Sequence, residues 1–310
     1  MSKRALLIGC NYTATPSVAL QGCINDVVNV RNMLIDAYGY QDANIYVLRD
    51  DDSKRLPTRA NILSTIANLV NTSSAADTLW MHYSGHGTQI RDANGDEVDG
   101  LDEAIVPCDY NRAGMISDDD LFNLIKFAKC TIIMCFDSCH NGTVCDLQYS
   151  TNWNNGGLTK VLNNSKFIAD NKIIMLSGCR DAQTCADAYN TITKQGVGAF
   201  TNALLETLRA NSHNVGLLKL YSDLCAYLKS TGFTQIPVLS SSVLNPSFQF
   251  TRATPIFSSV TVTGQTSSAS SSSVATASSS ASKELVLYKF GMPSRKSSMR
   301  GRMQHLFNDK

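Results

Sequence analysis

CTIIMCFDSCHNG, residues 130–142, carries an unbroken apolar run from Ile132 to Phe136 straight into Asp137, Ser138, Cys139 and His140, with a glycine at 142. So short a run, without helical period and stopped by polar chain and glycine, suits a strand buried on both faces. Strands of that kind belong to parallel sheets covered by helices, so the chain on either side should alternate strand and helix.

It does. ALLIGC (5–10) is a second such run. After it, Ile24, Val27, Val28, Leu34, Ile35 and Tyr38 keep one face apolar at three- and four-residue steps, with Gly39 as the stop. NIYVLRD (44–50) is the next strand, and Thr58 caps a helix whose stripe is Ile62, Leu63, Ile66, Leu69 and Val70. TLWMHYSGHG (78–87), EAIVPCD (103–109) and KIIMLSGC (172–179) add strands. DDDLFNLIKFAK, AFTNALLETLRA and LLKLYSDLCAYLKS add helices, the first opening on carboxylates that suit a helix N-terminus. In sheets of this class ligands sit beyond the carboxyl ends of the strands. Here those ends read GCNY, YSGHG, FDSCHNG and SGCRDAQT, which puts most polar chemistry along one edge.

With 310 residues and a formal charge of +1, the chain gives no bulk argument for nucleic acid or membrane as a partner. The apolar run after MSKR is too short for a signal peptide, and no stretch approaches the roughly 20 apolar residues of a membrane helix. A cytoplasmic protein is expected. Its ten cysteines, several inside strands, then read as reduced core thiols, and no CxxC pair suggests structural zinc. Residues 258–282 are almost wholly Ser, Ala, Thr and Val, the composition of a flexible linker, and 283–310 form a basic tail. The folded domain is expected over 1–257, with a large region at about 1–146 and a small one at about 172–257.

A thiol becomes a strong nucleophile as thiolate, which needs a nearby base or positive potential, and such thiols sit partly exposed at strand ends. Cys139 has that position, whereas Cys135 lies inside the strand. Adjacent His140 points to the opposite face in extended chain. His86, between Gly85 and Gly87, is the better base, and those glycines with Cys139 are expected to offer N–H groups to an oxyanion. A histidine some fifty residues before the cysteine is also the caspase-type order.

HYSGHGTQ, GDEVDGLDEAIVPCDY, FDSCHNG, SGCRDAQTCADA and GFTQIPVLSSS, in that order, resemble the metacaspases, caspase-like cysteine peptidases, over about residues 3–250. The resemblance implies an α/β caspase-like fold with a six-stranded, mostly parallel sheet flanked by helices on both faces. It implies a His86–Cys139 dyad, polypeptide substrates cut after Arg or Lys, and a monomer. A cationic residue at P1, the position before the cut, asks for carboxylates. Asp26 and Asp137 border the strand-end edge, and with Cys23 and Ser84 they match the positions that line the family's S1 pocket. The strand beginning at Ala5 and the short connection between regions point to a prodomain-less relative of the type I class.

From Arg91 to Asp120 ten carboxylates face two arginines, a density that solvent or a cation must offset. DANGDEVDGLDE lacks the preceding helix and the twelfth-position Glu of an EF-hand. The resemblance instead implies calcium at Asp102, Asp118, Asp119 and Asp146, as an activator, with no organic cofactor. It also makes Lys160, Lys166 and Lys172 candidate self-cleavage points. Two other readings stay open: a catalytically silent caspase-like interaction protein, against which both dyad residues argue, and a caspase-clan peptidase with another P1 preference, against which the acidic pocket argues.

Overall fold

The computed structural model describes residues 1–92, 95, 100–138, 145–154, 156–164, 166, 168, 172–179, 187–190 and 195–254. Its strands are β1 (Lys3–Gly9), β2 (Ile45–Arg49), β3 (Thr78–Ser84), β4 (Gly87–Arg91), β5 (Leu101–Ile105), β6 (Ile116–Ser117), β7 (Thr131–Asp137), β8 (Tyr149–Asn154), β9 (Gly157–Leu162), β10 (Ile173–Ser177), β11 (Asp187–Asn190), β12 (Gln195–Gly198), β13 (Val215–Gly216), β14 (Val238–Ser241) and β15 (Gln249–Phe250). The helices are α1 (Cys23–Tyr38), α2 (Arg59–Asn71), α3 (Tyr110–Ala113), α4 (Asp118–Ile125), α5 (Ala199–Ala210) and α6 (Leu217–Ser230).

The main sheet runs β2-β1-β3-β7-β10-β14-β8-β9. Its first five strands are parallel, and β14, β8 and β9 each pair antiparallel with the strand before them in that order. The four inner parallel strands, β1, β3, β7 and β10, bury both faces, and alternate residues divide between two cores. Leu7, Trp80, Ile133, Cys135 and Leu176 pack with α1, α5 and α6, while Leu6, Ile8, Met81, Met134 and Phe136 pack with α2 and α4. This is the caspase-like α/β architecture, with helices on both faces. Thr58 accepts the Asn61 N–H at 3.2 Å at the start of α2, and Gly39, at φ 68°, ends α1 in the left-handed region.

Two expectations change. The sheet has eight described strands, not six, because 149–162, where the sequence signals no strand, fold into the β8–β9 hairpin on the far edge. Only β8 has buried residues, Ser150, Thr151 and Trp153, and β9 is exposed throughout, so the segment lacks the apolar alternation that signals a strand. The EAIVPCD strand is real, as part of β5, but lies in a separate three-stranded sheet, β4-β5-β6. All eight cysteines among the described residues are unbridged, and among those residues no helix is long and apolar enough to cross a membrane. The linker at 258–282 and the tail at 283–310 lie outside the described residues.

Candidate active site

β3 and β7 are parallel neighbours with Ser84 opposite Asp137, and Gly9 stands opposite Ser84 on β1. The Gly85 amide donates to the Asp137 carbonyl at 3.3 Å, and the Cys10 amide to the Ser84 carbonyl at 3.0 Å, so the tips of the three strands are tied together. His86 follows two residues beyond this registered pair on β3. Position 139 is likewise two residues beyond it on β7. Cys139 itself lies outside the described residues, as does His140.

His86 is held through both backbone and ring. Its N–H donates to the Tyr12 hydroxyl at 3.0 Å, and its carbonyl accepts from the Tyr83 hydroxyl at 2.7 Å and the Val106 N–H at 3.2 Å. The ring stacks on Tyr12 with centroids 4.8 Å apart, and Nε2 lies 2.7 Å from the Val18 carbonyl oxygen. A carbonyl can only accept, so Nε2 carries the proton and Nδ1 keeps the lone pair that a base needs. The Gly85 hydrogen bond corrects one expectation. Its N–H is engaged inside the strand tips and is not presented to an oxyanion, whereas Gly87 opens β4 opposite Ile105.

Asp26 and Asp137 converge on one spot. Asp26, in the first turn of α1, accepts the Ser84 hydroxyl at 2.6 Å and the Gly198 N–H at 3.0 Å. Asp137 accepts the N–H and hydroxyl of Thr201 at 2.8 and 2.7 Å. A Cβ on Gly198 would stand 2.0 Å from Asp137 Oδ2 and 2.7 Å from Asp26 Oδ2, so the two carboxylates close on the Gly198 backbone in an approach that only glycine allows. Gly198 is the N-cap of α5, whose dipole favours negative charge there. Both acids are buried. Cys23 begins α1, buried, its N–H donating to the Asn11 side-chain oxygen at 3.0 Å.

A second carboxylate group lies beside the loop that follows β7. Asp118, Asp119 and Asp146 have ligand oxygens all within 4.8 Å of one another. Oxygens so placed fit around one cation at the 2.3–2.6 Å of calcium coordination, and an all-oxygen donor set suits a hard cation. Asp118 takes N–H bonds from Glu103 at 3.0 Å and Asp119 at 2.7 Å, yet burial, with Asp146 the next cause, pushes its carboxyl up to about 9. Asp102 and Glu103 add to that rise. Asp102 is buried on β5, outside the 4.8 Å group, so three of the four expected ligands are brought together. Asp146 adopts φ 46°, left-handed for a non-glycine. The Lys166 ammonium stands in the group, 2.6 Å from Asp146 Oδ2 and 3.4 Å from Asp119 Oδ1.

The other lysines singled out by sequence sit differently. Lys160 is inside β9, its ammonium bonded to the Asn245 side chain. The Lys172 carbonyl accepts the Ile132 N–H at 2.9 Å within the central sheet. Tyr12, Val18, Gly198 and Thr201 complete the site and were not foreseen from the sequence. Gly198, in the QGVGAF run just before a helix start, carried a usable signal, since a glycine there often marks a close approach.

A family model described as "Metacaspase, peptidase C14 domain" matches residues 3–148. Metacaspase-1 of Mycosarcoma maydis is 34% identical over 288 residues, covering 77% of this chain and 70% of the relative. Metacaspase-1 of Schizosaccharomyces pombe is 34% identical over 290 residues, covering 77% and 67%. For Metacaspase-1 of Cryptococcus neoformans the figures are 37% over 257 residues, 66% of this chain and 55% of the relative. The chain thus spans between 55% and 70% of the length of these relatives. Among solved structures, Caspase-1 from Spodoptera frugiperda superposes with a TM-score of 0.52 at 14% identity, over 81% of this chain and 92% of that one. A Geobacter sulfurreducens protein gives 0.54 at 21% identity, over 83% and 96%. At these identities the likeness concerns the fold.

Proposed function

Because the chain belongs to the metacaspase family, we propose that it is a calcium-stimulated cysteine endopeptidase that cuts after Arg or Lys and processes itself. The observation that carries this reading is the pairing of Ser84 with Asp137, which sends His86 and position 139 off the same pair of strand tips beside two buried carboxylates.

In this reading the Cys139 thiolate attacks the scissile carbonyl and the imidazolium of His86 protonates the leaving amine. Water then hydrolyses the acyl-enzyme. The Val18 carbonyl fixes the His86 tautomer, and the Gly87 amide is the oxyanion donor that remains from the original pair. The P1 cation enters between Asp26 and Asp137, where charge-assisted hydrogen bonds favour Arg or Lys and penalise an acidic side chain. Cys23 and Ser84 line the same pocket, Ser84 by orienting Asp26 through its hydroxyl. Asp118, Asp119 and Asp146, with Asp102 alongside, would hold calcium, which supplies positive charge to a carboxylate group that otherwise repels itself. The protein works as a cytoplasmic monomer on polypeptides, without nucleic acid or membrane.

Fluorogenic peptides ending in Arg, Lys, Asp or Asn, assayed with and without calcium beside Cys139→Ala, test the reading. Hydrolysis of the Arg and Lys peptides, raised by calcium and absent in the variant, is the expected result. Activity on Asp or Asn peptides instead would overturn the specificity, and equal activity without calcium would overturn the metal's role.

A further inference from the structure

We propose that Lys166 is the resident cation of the carboxylate group, that a divalent cation entering the group evicts it, and that Lys166–Phe167 is then the peptide bond the enzyme hydrolyses in itself. The inference rests on the metal and peptidase readings above and adds to them which lysine is used and what controls its release.

The first ground is the seat of the ammonium. Lys166 Nζ reaches Asp146 and Asp119, two of the three acids whose oxygens lie within 4.8 Å of one another, and stands 5.6 Å over the Phe122 ring. Its backbone is fixed to the same place, since the Lys166 N–H donates to the Asn164 side-chain oxygen at 3.0 Å while the Asn164 amide donates to the Asp146 carbonyl at 3.0 Å. One ammonium brings a single positive charge to a group of three acids. A dication is a better match for them, and two cations cannot share the space, so binding of one excludes the other.

The second ground is what Lys166 has that its neighbours lack. A peptidase needs the backbone around P1 in extended form and unengaged by a sheet. Lys160 lies within β9, paired with Thr151 on β8. The Lys172 carbonyl is a hydrogen-bond acceptor in the centre of the main sheet, so presenting that bond would tear β10 from β7. Lys166 lies between β9 and β10, in no helix or strand, and its ammonium contacts with Asp146 and Asp119 are ones that a cation there would break. Once released, it carries the positive charge that the Asp26–Asp137 pocket selects. The Cys139 thiolate adds to the Lys166 carbonyl carbon, the bond to the Phe167 nitrogen breaks, and that nitrogen leaves as an amine with the proton from His86. Water hydrolyses the thioester, leaving a Lys166 carboxylate and restoring the thiol and imidazole.

The test uses full-length Cys139→Ala, which cannot cut itself. Its lysines are acetylated with a small amine-reactive reagent with and without calcium and quantified by mass spectrometry against Lys219, while calcium binding is measured by calorimetry on the same protein. Lys166 labelling should rise at least about fivefold on calcium binding, and Cys139→Ala/Lys166→Gln should bind calcium at least about fivefold more tightly, the lower end of ordinary coupling between sites. In the active enzyme, calcium should produce a new C-terminus at Lys166, retained in Lys166→Arg and absent in Lys166→Gln. Calcium binding with unchanged labelling and unchanged affinity in the Gln variant would overturn the eviction while leaving the metal reading intact. No calcium binding at all would overturn that reading instead. A cut after Lys160 or Lys172 would refute the assignment of the bond.

Discussion

The Tyr12 hydroxyl accepts the His86 backbone N–H at 3.0 Å while its ring stacks on the imidazole at 4.8 Å, so a residue 74 positions upstream holds the proposed base by both main chain and side chain. The same hydroxyl donates to the Val106 carbonyl at 2.7 Å and lies 3.1 Å from the Tyr83 hydroxyl. Tyr12 is itself at φ 51°, a conformation held by the Asp50 carboxylate, which accepts the Tyr12 and Asn11 N–H groups.

Tyr12→Phe keeps the ring and removes the hydroxyl. It leaves the buried His86 N–H without that acceptor and should destabilise the fold by about 1–3 kcal/mol. If His86 positioning matters to chemistry, kcat should fall while KM for an Arg peptide changes little. Urea denaturation and steady-state kinetics on the same preparation check both parts.

Gly198→Ala places a methyl group on the Asp137 carboxylate, at a separation no real contact tolerates. Either α5 shifts or the acid turns away, at about 1–3 kcal/mol, the usual range for overpacking. Hydrolysis of Arg and Lys peptides should drop by at least about tenfold, more through KM than kcat, because the carboxylate proposed to meet the P1 cation is displaced. A variant that binds and cuts Arg peptides normally would show that the acids packed on Gly198 do not form the pocket.

His82 gives the fold an acid-sensitive element. It is fully buried on β3, and burial lowers its pKa to about 3. Thr201 uses its only hydroxyl proton on Asp137, so the contact of 3.4 Å with His82 Nε2 requires the ring to donate, leaving buried Nδ1 without a partner. The unfolded chain takes up the proton near 6.5 and the folded chain only near 3, so between those values the unfolded state binds more protons and stability falls as pH is lowered. From pH 7.5 to 5 this one group should cost about 2 kcal/mol. Unfolding free energies from urea denaturation of His82→Gln at the two pH values should differ by that much less than for the parent.

Calcium should raise the unfolding free energy of Cys139→Ala by about 2.7 kcal/mol at a hundred times its Kd, since only the folded chain assembles the acids. Asp146→Asn or Asp118→Asn should remove most of that shift, and a chelator should reverse it in the parent. Thermal denaturation with magnesium in place of calcium provides the control for general ionic effects.

What could be read from sequence was whatever is local. The apolar runs of β1, β3, β7 and β10, the caps at Thr58 and Gly39, and polar residues next to strand-end glycines such as His86 all advertise themselves within a few positions. Asp26 and Asp137 could be picked out from their place at the strand-end edge together with the family resemblance. What could not be read depends on distant chain: Tyr12 meets His86 across the sheet, Gly198 meets acids 172 and 61 positions earlier, and Lys166 meets Asp119 47 positions back. The β8–β9 hairpin escaped because its outer strand buries nothing, so no hydrophobic period betrays it.

The order of strands has a consequence for any cut between β9 and β10. The downstream strands β10 and β14 lie sandwiched between the upstream strands β7 and β8, and Gly198 and Thr201 grip Asp26 and Asp137 from the other fragment. The two pieces are interlocked like the fingers of clasped hands. A nicked molecule should migrate as one particle on a native gel and part into two bands only in detergent, so a single break in the backbone remodels a loop without dismantling the molecule.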